Sequence, residues 1–169
     1  MWATSGLGWT RPQDWVRDFV AASYWPRSWP ARSKNSDVIA LCVLFDFVDP
    51  AIEVGYVQSP PNAATAQQHW QPHYGTLATE LAVLDDDYSV AVDNGDWTSP
   101  AAAAPVHEAD AAWLGALGGY AHLRLRRRVD TSSVTDTAAV VLLLEGVRRA
   151  VEQSPSLQAM LRATQQLQE

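Results

Sequence analysis

Lysine is nearly absent from this chain: a single residue, Lys34, stands beside eleven arginines. Those twelve basic residues face nineteen acidic ones, so the net charge is −7. A chain this short of positive charge lacks the basic face that general nucleic-acid binding requires. The same deficit suits a basic protein partner, which an acidic surface attracts at long range. Cysteine is almost missing too. Cys42 stands alone, which excludes an internal disulfide and a thiolate zinc cluster, and its apolar neighbourhood marks it as a small buried hydrophobe. No apolar run is long enough to cross a bilayer, and the start, Met-Trp-Ala-Thr-Ser-Gly, has neither the basic region nor the apolar stretch of a secretory leader. The expectation is a cytoplasmic protein.

Catalytic signatures are lacking as well. There is no Gly-x-Ser-x-Gly, and no nucleophile with an obvious histidine beside it. Gly6-Leu7-Gly8 and Gly118-Gly119 do not follow a strand and open a helix as a phosphate loop must. His69 and His73 have the spacing of two metal ligands on one helix face, but Pro72 lies between them and no third ligand is near. The sequence therefore predicts no catalytic residue, no metal and no cofactor.

What is present is enough chain, 169 residues, for one α+β domain with a proper core. It centres on Asp37–Val48, where Ile39, Leu41, Val43, Phe45 and Phe47 alternate with Val38, Ala40, Cys42, Leu44 and Val48. Both sets are apolar except for Asp46, as in a central strand covered on two sides. Asp49-Pro50 stops it, and Ile52–Val57 returns as the second strand of an antiparallel hairpin.

Around that hairpin the pattern predicts an N-terminal helix after a Thr10 cap, carrying Trp15, Phe19 and Ala22 at helical spacing. Five of eight tryptophans lie in the first thirty residues, which makes them core-filling aromatics or an exposed platform. Tyr74–Leu84 reads as a helix ending before Asp85-Asp86-Asp87, because carboxylates oppose a helix C-terminus. Tyr88–Val92 reads as a strand, Asn94-Gly95 as a hairpin turn, and Trp97-Thr98 as the start of a returning strand cut short by Pro100. Ala101–Pro105 reads as a connector and Val106–Leu117 as a helix whose first turn holds His107, Glu108 and Asp110.

Tyr120–Val129 alternates again: Arg124, Arg126 and Arg128 share one face, while Leu123, Leu125 and Val129 share the other, with Arg127 out of place. The expectation is an amphipathic strand with a basic outer face, suited to protecting a sheet edge, with a continuation of the preceding helix as the alternative. Ser133 and Asp136 suggest a capping box for a helix over Thr135–Gln153, whose apolar stripe (Val140, Leu144, Val147, Val151) is widened by Val141, Leu142 and Leu143 toward burial on several sides. Ser154-Pro155 begins a last helix.

The acids bracketing the short strand are the candidate partner-binding residues: Asp85, Asp86, Asp87, Asp93 and Asp96, with Trp97 beside them. Carboxylates held on turns and strand ends can pair with Lys and Arg of a partner. A pocket lined by tryptophans and His69 or His73 is the competing expectation, and would make the chain a small enzyme or ligand binder.

Val38–Val57, with Leu44-Phe-Asp-Phe-Val-Asp-Pro50 followed by Ile52-Glu-Val-Gly-Tyr-Val57, resembles the central hairpin of small bacterial domains found among immunity proteins of polymorphic toxin systems. Trp70-Gln71-Pro72 is similar to a Trp-x-Pro pattern those domains carry. The resemblance covers about a quarter of the chain. It implies a non-enzymatic inhibitor that binds and blocks a toxin, and transfers no functional residue.

Overall fold

The computed structural model describes residues 19–24, 39–46, 50–58, 68–93, 102–116 and 122–166. The architecture is α+β. Six strands form one antiparallel sheet: β1 (Phe19–Tyr24), β2 (Ile39–Asp46), β3 (Ala51–Gln58), β4 (Tyr88–Asp93), β5 (Ala102–Pro105) and β6 (His122–Asp130), in the spatial order β1-β2-β3-β6-β4-β5. The helices are α1 (Tyr74–Leu81), α2 (Ala111–Ala116), α3 (Thr137–Gln153) and α4 (Pro155–Gln166). Among the described residues no helix is long and apolar enough to cross a membrane.

The β2–β3 hairpin forms as the alternation predicts. Leu41 faces Tyr56 and Val43 faces Val54 across the ladder. Leu41, Cys42, Val43 and Leu44 are all buried, so both faces of β2 are covered, and β2 lies between β1 and β3. Cys42 is an interior side chain whose thiol donates to the Gly55 carbonyl oxygen at 3.5 Å. Gly55 is required by close approach rather than by a turn: a Cβ there would stand 3.2 Å from the Leu125 carbonyl oxygen on the neighbouring strand.

One sheet face carries the main core. Leu41, Val43, Ile52, Val54, Tyr56, Val90, Leu123 and Leu125 meet Leu77, Leu81, Leu144, Val147, Val151, Leu157 and Met160 from the helices. Helix α3 lies across β2, β3 and β6, and α1 joins α4 and α2. Burial pushes the Tyr56 phenol pKa well up, and its hydroxyl donates to Gln58 Oε1 at 2.9 Å.

Helix ends follow local chemistry. Asp136 caps α3, accepting from the Ala139 N–H at 2.9 Å, so Asp136 itself is the N-cap and the capping box expected to start at Ser133 does not form. Instead Asp130 accepts from the Ser132 N–H at 2.7 Å and shapes a 3-10 turn over Thr131–Ser133. Ser154 caps α4 as expected, accepting from the Leu157 N–H at 3.1 Å. That cap is tied to α1: Glu80 accepts from the Ser154 and Ser156 hydroxyls and from the Ser156 N–H at 3.1 Å.

Several expectations give way. Phe19–Tyr24 is strand β1, paired with β2, where the periodicity predicts the end of an N-terminal helix; the rest of that helix lies outside the described residues. Phe-Val-Ala-Ala-Ser-Tyr satisfies either period over so short a run, and pairing decides. Ala102–Pro105 is strand β5, not a connector, and pairs with β4; the returning strand expected at Trp97 lies outside the described residues. Pro105 stands opposite Ser89, while the adjacent Val106 N–H donates to the Tyr88 oxygen. In an antiparallel ladder bonded pairs alternate, so the missing proline N–H falls on the outer side and blunts this edge. Helix α2 starts at Ala111, because Asp110 accepts from the Trp113 N–H at 2.7 Å, leaving His107 and Glu108 in a turn before it. Leu142 is 71% exposed and Val141 lies at the surface, so α3 is not buried on several sides.

Candidate functional site

Two turns meet beside β4. The first follows α1 and holds Asp85, Asp86 and Asp87, all exposed. The second, Val106–Glu108, follows β5 and is closed by Glu108 and Ala109 N–H groups donating to the Pro105 oxygen. His107 stands between them, with Nδ1 3.8 Å from Asp86 Oδ1 and Nε2 3.7 Å from Glu108 Oε1. Asp86 and Glu108 therefore share one surface, and exposed Asp85 adjoins Asp86 in the chain. The Asp86 side chain is 96% exposed, a carboxylate held forward into solvent. Val83, 82% exposed, lies two residues before Asp85 on the same turn.

Asp87 plays a different part. Its Oδ2 accepts from Arg127 Nη2 of β6. Arg127 is the residue that breaks the alternation of that strand, and the reason is visible here. It sits directly opposite Tyr88 on β4, with its guanidinium 4.9 Å from the ring centroid. A Cβ on Gly146 of α3 would lie 3.0 Å from the Tyr88 hydroxyl and 3.2 Å from Arg127 Nη1, so the glycine leaves room for both. Burial raises the Tyr88 phenol pKa, Arg127 opposes that rise, and Asp87 adds to it. Arg127 thus ties the acidic turn to the sheet.

Asp93 ends β4, five residues beyond Tyr88. At roughly 3.3 Å per residue, that puts it about 16 Å from the Asp85–Asp87 end. The structure brings Asp85, Asp86 and Asp87 together and sets Asp93 apart from them. Asp96 and Trp97 lie outside the described residues.

The arginine stripe of β6 is not at an edge. β6 lies between β3 and β4, and Arg124 is fully buried. Glu53 on β3 explains the placement: Oε1 accepts from Arg124 Nη1 at 2.9 Å and Oε2 from Arg126 Nη1 at 2.8 Å. Arg126 Nε donates to Ser89 Oγ at 3.1 Å, so the guanidinium spans three neighbouring strands. Each arginine bonds Glu53 through a single nitrogen, so the carboxylate is shared rather than clamped by one bidentate fork. Within the predicted second strand of the hairpin, Glu53 has no partner visible in the sequence, and its role is not legible there. The one signal is that a lone acid inside an apolar strand needs a charged partner once buried.

The tryptophans that can be placed support the core. Trp70 is buried and Trp113 packs against the same cluster half-buried. His69 and His73 are half-buried beside the Gln71–His73 turn, which Pro72 helps to start. Among the described residues no group of three or more His, Cys, Asp or Glu side chains could hold a metal ion. Comparison of the chain with models of known protein families and with curated protein sequences finds no match.

Proposed function

We propose that this chain is a non-enzymatic protein-binding protein, an immunity-type inhibitor that blocks a basic toxin or effector. The observation that carries the reading is the acidic surface itself. Asp86 and Glu108 converge on His107 from two turns, exposed Asp85 adjoins Asp86, and the Asp87–Arg127 pair anchors one of those turns to a central strand. Carboxylates presented on a fixed base lose little freedom on pairing with Lys or Arg of a partner. Exposed charges of this kind chiefly raise the association rate and select the partner's sign of charge. The excess of acids in the whole chain acts in the same direction. The likeness of Val38–Val57 to immunity-protein hairpins supplies the inhibitory role within this reading. Among the described residues, Trp70 lies in the core and Trp113 packs against it, which weighs against a ligand pocket lined by these two.

The test is affinity capture of the tagged protein from its own organism's lysate at low and then moderate salt, with mass spectrometry of what remains. The wild type and a double variant, Asp85→Lys with Asp86→Lys, are run side by side. One basic protein retained stoichiometrically by the wild type and lost by the folded variant supports the reading. No partner at either salt, or equal retention by both proteins, overturns it as stated.

A further inference from the structure

We draw no further inference here: the strongest candidate, the Glu53–Arg124–Arg126–Ser89 cluster on the sheet face away from the core helices, is the internal charge pairing already described, and nothing in the structure shows what covers it.

Discussion

Glu53 and Arg124 are 71 positions apart in sequence, yet their side chains meet at 2.9 Å with both shielded from water. A second arginine, Arg126, takes the other oxygen of the same carboxylate. Two charges moved out of water lose hydration that only close pairing restores. The pairing fixes the β3–β6 register, since sliding by one residue would send Glu53 to the opposite sheet face.

Removing the shared carboxylate leaves both arginines without it. Glu53→Gln is expected to lower unfolding stability by about 3 to 5 kcal/mol, as for other broken buried pairs. Replacing Glu53, Arg124 and Arg126 together by Leu or Met should cost less than the single change, because the two arginine charges leave together with the carboxylate. Urea denaturation of the three proteins checks this. A triple variant as unstable as Glu53→Gln would show that the cost does not arise from stranded charge.

The two close-approach glycines should respond differently to alanine. At Gly55 the obstructing atom is a backbone oxygen on β6, which cannot swing aside. Gly55→Ala is expected to cost about 1 to 3 kcal/mol, in the range for overpacking. At Gly146 the neighbours are the far ends of Tyr88 and Arg127. The helix gains about 1 kcal/mol from alanine, which offsets their displacement, so Gly146→Ala should stay within about 1 kcal/mol of the wild type. Denaturation midpoints decide, and similar losses at both positions would contradict the distinction.

Glu80 joins two helices through one carboxylate. Glu80→Ala removes the acceptor for both Ser154 and Ser156, whose side chains are buried. The expected loss is about 1 to 3 kcal/mol, because buried donors left unmade carry their full desolvation cost. Hydrogen exchange should show the first turn of α4 opening before the middle of α3. Unchanged exchange at Ser156 and Leu157 would refute the clamp.

Asp130 gives the acid side of the pH profile. Hydrogen bonds from the Ser132 hydroxyl and N–H hold its carboxyl below the ordinary value of 3.8. A carboxyl lowered by folding contributes stability that is present above its unfolded pKa and is lost as pH falls through the folded one. The wild type should therefore lose more stability than Asp130→Asn on acidification from pH 4 downward, and the two should run parallel above about pH 5. Denaturation across that range reads the difference directly, and parallel curves throughout would remove the effect.

Charge reversal separates the anchoring acid from the exposed ones. Asp85→Lys and Asp86→Lys should each change stability by less than about 0.5 kcal/mol, as surface substitutions do. Asp87→Lys should destabilise more than either, because it sets a second cation against Arg127. Thermal unfolding of the three single variants gives the order. Equal effects would mean that Arg127 does not hold the turn.

The sequence by itself determined the elements whose signal is local. Alternation with apolar residues on both faces specified the β2–β3 hairpin. Ser154-Pro155 specified the start of α4, because cap and fixed φ act within one turn. The acidic turn after α1 was legible too, since three consecutive carboxylates oppose a helix C-terminus. Tertiary structure decided the rest. Phe19–Tyr24 became a strand because β2 offered an open edge, and Ala102–Pro105 because β4 did. Arg127 broke its strand's pattern for the sake of Asp87 and Tyr88, which lie about forty positions away. The arginine stripe looked like an edge because charge on a strand ordinarily faces water. It is interior because Glu53 meets it across β3 and Ser89 across β4, and pairing over such separations leaves no periodicity to read.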